Sequence, residues 1–205
     1  MTLWAIVPVK PLRRGKSRLS KVLSEEERTA LNNHLLVNTL KTLSTVSEID
    51  SILVVSRDPA ALTVSREFGA RTVLEDGSPE LNTALKRAAI VAKAYTINEI
   101  MVVPADLPLL TREVVEDFLR HAGSPPEIII SPDRRKDGTN ALYISPADLI
   151  QFSYGPGSFQ KHMQLATQSN ARVEVVDSFV LGLDLDLPED LELLNSIQKT
   201  ENWNI

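Results

Sequence analysis

Leu3-Trp4-Ala5-Ile6-Val7-Pro8-Val9 is an unbroken apolar run, and it passes directly into Lys10-Pro11-Leu12-Arg13-Arg14-Gly15-Lys16-Ser17-Arg18-Leu19-Ser20-Lys21, which holds six cations and no acid in twelve residues. A strand that is apolar on both faces belongs inside a sheet covered on both sides, as parallel sheets are. The junction therefore puts a concentrated positive loop at the end of a buried strand. Ligands of open α/β sheets collect beyond the carboxyl ends of the strands. An acidic chain with one such basic segment points to a local anion site.

Outward from this stretch, strand and helix signals alternate, the pattern of a parallel sheet flanked by helices. Ser24-Glu25-Glu26-Glu27 reads as a capping box that opens a helix with apolar Leu31, Leu35, Leu36, Leu40 and Leu43. Ile52 to Val55 reads as the second strand. Asp58-Pro59 supplies an N-cap and a proline at the first helical position, and Gly69 closes that helix. Arg71 to Leu74 is expected as the third strand, and Ser78-Pro79 as the start of a helix running to about Tyr95. Glu99 to Val103 is expected as the fourth strand, and Thr111 as the cap of a helix ending near Gly123.

Beyond that point the rhythm changes. Glu127 to Ser131 and Ala141 to Ser145 read as strands around the polar loop Asp133 to Asn140. The turn Tyr154-Gly155-Pro156-Gly157-Ser158 leads into a helix to about Asn170, and Arg172 to Val176 is a strand. Leu181 to Leu187 alternates apolar and polar residues, as an extended strand would, and Pro188 begins a last helix. With no repeat, linker or low-complexity segment, residues 1–205 are expected to form one domain, 199–205 being a frayed polar tail.

Composition narrows the function. At 205 residues, 43% hydrophobic and 24% charged, the chain is of globular type with room for a full core. A net charge of −5 and only 5% aromatics argue against bulk nucleic-acid binding or a base-stacking platform. Apolar runs such as Ile100 to Val103 are far too short to cross a bilayer, so no membrane partner is expected. The first strand has no signal segment before it, which leaves the cytoplasm as the expected compartment. There are no cysteines, which removes disulfides, thiolate nucleophiles and cysteine-ligated zinc. The state of assembly is open, a homodimer being compatible with folds of this kind.

Three features are expected at the carboxyl ends of strands: the basic loop, Asp106 in the stiff turn Pro104-Ala105-Asp106-Leu107-Pro108, and the pair Asp184 and Asp186. Residues two apart on an extended chain point the same way. Phosphate needs cations, and Mg²⁺ takes hard oxygen ligands, usually one or two carboxylates with phosphate oxygens and water. Each feature also has a plain reading: a turn or cap aspartate, the solvated face of an edge strand, a solvated charge run. Together they fit metal–phosphate chemistry better than coincidence. Other chemistries lack their residues. No G-x-x-x-x-G-K-[ST], G-x-S-x-G or H-E-x-x-H occurs, and Gly155-Pro156-Gly157 lacks the third glycine of a dinucleotide site. His34, His121 and His162 are scattered over three expected helical positions and read as structural or exposed.

The stretches Ile6 to Lys10, Gly15 to Leu19, Glu80-Leu81-Asn82, Pro104 to Pro108, Asp137 to Asn140, Tyr154 to Phe159 and Leu183 to Asp190 resemble, in order, the 2-phospho-L-lactate/phosphoenolpyruvate guanylyltransferases of coenzyme F420 biosynthesis. The resemblance covers nearly the whole chain. It implies the nucleotide-diphospho-sugar-transferase type of Rossmann-like α/β fold, a mostly parallel sheet with helices on both faces. It also implies an Mg²⁺-dependent reaction in which GTP and a phosphorylated three-carbon acid give a guanosine diphospho-acid and pyrophosphate. On that footing Asp106, Asp184 and Asp186 would hold Mg²⁺, while Lys10, Lys16 and Arg18 clasp the triphosphate, Asp106 and these three cations being the catalytic set. Thr139, Gly155 and Ser158 are carried over by motif as acceptor-binding residues, at a helix start that favours an anion. Glu75 and Asn82 delimit the segment expected to read guanine. The alternatives are another Mg²⁺-dependent nucleotidyltransferase, working with CTP and a sugar or with molybdopterin, and a non-catalytic nucleotide-binding module that kept the fold. The sequence leaves the choice between phosphoenolpyruvate and 2-phospho-L-lactate open, with a lean to the former.

Overall fold

A computed structural model describes residues 2–76 and 80–200. Its centre is a seven-stranded sheet of β1 (Leu3–Val9), β2 (Ile49–Ser56), β3 (Arg71–Leu74), β4 (Glu99–Val102), β5 (Glu127–Pro132), β6 (Thr139–Ser145) and β7 (Arg172–Val175). Their spatial order is β3-β2-β1-β4-β6-β5-β7. All neighbours are parallel except β6, which runs antiparallel to both β4 and β5. The sheet is thus mostly parallel, as expected. The chain moves one way from β1 to β3 and returns to the other side of β1 with β4, so the switch in direction lies between β1 and β4.

Helices cover both faces, and the period of two along each strand sorts the core into two layers. Leu3, Ala5 and Val7 of β1 pack with Leu36, Leu40 and Leu43 of α1 (Glu25–Ser44), Leu62 of α2 (Pro59–Glu67) and Phe118 of α4 (Arg112–Leu119). Trp4 and Ile6 face the other way, onto Leu85 and Ala88 of α3 (Leu81–Ala94) and Phe159 of α5 (Ser158–Gln168). Each fully buried leucine or phenylalanine contributes about 1.5–3 kcal/mol relative to exposure. These two layers are what hold the strand ends in place. A third, small cluster joins Leu35, Leu185 and Leu194, packing α7 (Pro188–Thr200) against α1.

The helix starts are those read from the caps. Ser24 and Glu27 exchange both capping-box bonds, Asp58 accepts from the Ala60 amide, and Thr111 accepts from that of Val114. Gly69 follows α2 with φ +78°, a left-handed turn that suits glycine. For α3 the cap is Glu80, whose carboxylate accepts from the Asn82 and Thr83 amides; the expected Ser78-Pro79 start lies outside the described residues. The helix capped by Thr111 ends at Leu119, short of Gly123, so His121 lies beyond the helix. Two later expectations are corrected. Leu181 to Leu187 is not a strand: α6 (Phe179–Gly182) is a single helical turn, and an irregular segment follows. Its alternation arises because Leu183 and Leu185 are buried in the core while Asp184 and Asp186 line the cavity. The last helix also runs further than read, since α7 includes Lys199 and Thr200; the rest of the expected tail, 201–205, lies outside the described residues. Among the described residues no helix is long and apolar enough to cross a membrane.

Candidate active site

A cavity of about 360 Å³ opens over the switch point between β1 and β4. It is walled by the carboxyl ends of β1 to β4 and by the amino end of β6. The reversed direction of β6 is what delivers Thr139 and Asn140 to this edge rather than to the opposite one.

The basic loop is built to hold a fixed shape. Pro11 O accepts from the Arg14 and Gly15 amides, both at 2.9 Å. The Leu12 amide donates to Asp58 Oδ2 at 2.8 Å, and Leu12 O accepts from Asn32 Nδ2 at 2.7 Å. Asp58 thus caps α2 and anchors the loop with its two oxygens. A β-carbon at Gly15 would stand 2.6 Å from Asn32 Nδ2, so a larger residue there would displace the carboxamide that holds Leu12 O. Lys16 then takes a left-handed backbone, φ +56°, before a 3-10 turn from Ser17 to Lys21. Non-glycine residues rarely adopt this conformation, and where they do it is often at a functional site.

That turn drives the Lys16 ammonium inward. Its side chain is 5% exposed, and Nζ lies 3.0 Å from Asp106 Oδ2 and 3.3 Å from Asp186 Oδ1. Burial works against the Lys16 charge, but the two carboxylates outweigh it and hold its pKa above the ordinary lysine value. Burial likewise disfavours the Asp106 carboxylate, yet the Lys16 ammonium, with Lys10 farther off, holds it below the usual range. Asp184 is different. It accepts from Asn140 Nδ2 at 3.3 Å, but burial, followed by the negative charge of Asp106, pushes its pKa up to about 6, and Asp186 adds to the shift. The Leu185 amide donates to Asp106 O at 3.0 Å and ties the two carboxylate segments together.

The sequence-derived residues fall into three groups. Lys10, Lys16, Glu75, Asp106, Thr139, Asp184 and Asp186 all line the one cavity. Arg18 stands at its edge, 70% exposed, with Nη1 3.9 Å from Asp186. Asn82, Gly155 and Ser158 are not among the lining residues. Both ends of the Asn82 carboxamide are taken by the Tyr154 backbone, at 3.1 and 2.7 Å. Ser158 is buried behind Thr139, with Oγ 3.3 Å from Thr139 Oγ1. At the start of α5, Asp137 supplies an anion of the protein's own: its carboxylate accepts from Gly157 N and its carbonyl from Phe159 N, both at 3.1 Å. Sequence reading gave no role to Arg57, Asn140 and Tyr154, which line the cavity, as does Glu80 of the segment expected to read guanine. Arg57 directly follows β2, so the rule about strand ends would have found it. Asn140 ends the quoted Asp137 to Asn140 motif, without a role assigned to it.

Among the described residues no group of three or more histidine, aspartate or glutamate side chains is close enough to hold a metal alone. The Lys16 ammonium stands between Asp106 and Asp186 instead. The donor set still suits a hard divalent cation, since Asp106, Asp184 and Asp186 line one cavity, Lys16 pairs with only two of them, and burial followed by the Asp106 charge disfavours the Asp184 carboxylate. One or two of them completed by phosphate oxygens is the usual Mg²⁺ arrangement.

Residues 3–201 match the family described as "Guanylyl transferase CofC like". The chain is 40% identical over 196 residues to the phosphoenolpyruvate guanylyltransferase of Rubrobacter xylanophilus, covering 96% of this chain and 95% of that one. It is 37% identical to the 2-phospho-L-lactate guanylyltransferase of Methanocaldococcus jannaschii, covering 91% and 79%. A crystal structure from Desulfovibrio desulfuricans G20, assigned to the nucleotide-diphospho-sugar transferases, superposes with a TM-score of 0.77 over 97% of this chain and 89% of the other. At 16% identity that likeness speaks for the fold, and it is the fold expected from the sequence. With cations and carboxylates meeting at the switch point, and with matches that span nearly its full length, the chain belongs to the CofC-like guanylyl transferase family.

Proposed function

We propose that this protein condenses GTP with a phosphorylated three-carbon acid, phosphoenolpyruvate or 2-phospho-L-lactate, releasing pyrophosphate, as a cytoplasmic enzyme of coenzyme F420 biosynthesis. The observation that carries the reading is the buried Lys16 held between Asp106 and Asp186 at the mouth of a cavity that Asp184 also lines. The chain's likeness to a relative named phosphoenolpyruvate guanylyltransferase favours that acid.

The reaction asks little proton chemistry of the protein. A phosphate monoester has its second pKa near ~6, so the attacking oxygen is already ionised at pH 7. The obstacle is repulsion between two polyanions, and catalysis reduces to alignment and charge neutralisation. Lys10, Lys16 and Arg18 face the triphosphate and stabilise the departing pyrophosphate. Asp106, Asp184 and Asp186 are the residues to hold Mg²⁺, whose chemistry when bound is to offset charge shared by the triphosphate and acceptor. Thr139, at the same end as Asp184, faces the acid. Guanine presents N1–H and an amino group, which call for acceptors, and Glu75 lines the cavity beyond β3 to provide one.

The test is mass spectrometry of products formed from each of the four nucleoside triphosphates with Mg²⁺ and phosphoenolpyruvate, 2-phospho-L-lactate or 3-phosphoglycerate. A guanosine diphospho-acid from one of the first two acids is expected. A cytidine product, or no product with any acid, would sink the reading.

A further inference from the structure

Beneath the cavity floor His162 is fully buried, its ring edge-on to Tyr154 with centroids 4.9 Å apart. Nε2 accepts the Ser153 amide proton at 2.9 Å, so this nitrogen carries no hydrogen. Burial, with Lys161 nearby, lowers the His162 pKa to about 4, so the ring is neutral and its one proton sits on Nδ1. Nδ1 lies 3.0 Å from Thr139 Oγ1 and must donate to it. Ser158 Oγ donates to the same oxygen at 3.3 Å. Both lone pairs of the Thr139 hydroxyl are then occupied, which leaves its own proton for a third partner. Thr139 lines the cavity beside Asn140, the residue that steadies Asp184.

We propose that His162 is a positioning residue that, with Ser158, fixes the Thr139 hydroxyl as a donor into the cavity, so that this corner takes an unprotonated anionic oxygen of the acceptor acid. The inference rests on the acceptor end proposed above and adds what sets its polarity. A histidine read from the sequence as structural thereby selects the ligand through the tautomer that a backbone amide imposes on it.

The experiment measures phosphoenolpyruvate binding by titration calorimetry, apart from turnover, in Thr139 and His162 variants whose folding is checked by thermal melts. Thr139→Val is expected to weaken binding roughly 10- to 100-fold, the range for a lost hydrogen bond to a charged group, and Thr139→Ser to retain it. The two amides that can replace the imidazole separate positioning from packing. His162→Asn puts a donor where Nδ1 was, so it should stay within about threefold of the parent, whereas His162→Gln keeps the Ser153 contact, loses that donor and should weaken binding about tenfold. The loss in His162→Gln should vanish when Thr139 is already Val, since the pair acts as one unit. Equal binding by His162→Asn and His162→Gln, additive losses, or unchanged binding by Thr139→Val would overturn the inference. Inorganic phosphate and pyruvate as separate probes show which end of the acid is held: one of them should lose affinity in Thr139→Val, and indifference of both counts against the proposal. A protein that binds the acid in this way yet transfers no nucleotide would overturn the proposed function and leave this inference standing.

Discussion

The two halves of the sheet present their functional groups by different means. On the β1 to β4 side, chemistry sits where parallel strands end: the basic loop after β1, Arg57 after β2, Glu75 after β3 and Asp106 after β4. Local signals set these positions, and the helix caps are made within a few residues, although the basic loop is also tied at Leu12 by Asp58 and Asn32, 46 and 20 residues away. On the β5 to β7 side the groups arrive from a reversed strand and an irregular segment, and long-range polar ties hold them. Asn140 holds Asp184, 44 residues away. Asp190, fully buried, accepts from the amides of Asp186 and Leu187 and from Arg134 and Arg135. One half is placed mainly by strand ends and the other mainly by buried hydrogen bonds, which should fail in different ways.

The largest effect is expected where the halves meet. Asp106→Asn leaves Lys16 facing Asp186 alone, and pyrophosphate release should fall 10²- to 10³-fold. Retention of more than about a tenth of the parent kcat would remove Asp106 from the catalytic set.

That contrast also sets what a sequence shows. The Leu3 to Val9 strand, the Asp58 cap and the Asp106 turn each carry their signal within a few residues, so they could be read. Asn82 misleads for the opposite reason: it lies beside the cavity in the chain, but its amide is committed to Tyr154, 72 residues away. The Leu181 to Leu187 alternation gave the right facing of Asp184 and Asp186 from the wrong element, because burial of Leu183 and Leu185 imposes a period of two without a strand ladder. Pairings such as His162 with Thr139 depend on tertiary approach and leave no local trace.

Next in size comes a break confined to the later half. Asp190→Ala strands two backbone amides and leaves Arg134 and Arg135 without that carboxylate, and urea unfolding should show a loss of about 3 kcal/mol. A loss under about 1 kcal/mol would mean the long-range ties are incidental.

The third prediction uses pH. The His162 pKa is about 4 in the folded chain and about 6.5 when unfolded, so between those values the unfolded state binds the extra proton. Stability from this group is fully present above pH 6.5 and declines as pH falls towards 4, by at most about 1.4 kcal/mol per pH unit. Denaturant titrations at pH 7, 6 and 5 should show a shallower decline in His162→Asn than in the parent. Parallel declines would contradict a neutral buried imidazole.

The smallest effect belongs to the early half. Ser24→Ala removes one side of the capping box and should cost about 1 kcal/mol in denaturant stability, with kcat unchanged. A fall in kcat would show that this half is less modular than its local caps imply.

The left-handed backbone at Lys16 has a consequence for how this protein responds to selection. Glycine would relax that turn by about 1 kcal/mol, but it would also delete the ammonium between Asp106 and Asp186 and leave buried charge unpaired, a loss of about 3–5 kcal/mol. A screen rewarding heat resistance alone should therefore keep lysine at this position, as a screen for turnover does, despite the backbone it is asked to adopt. At position 16 durability and activity pull the same way, and the backbone alone pulls against both.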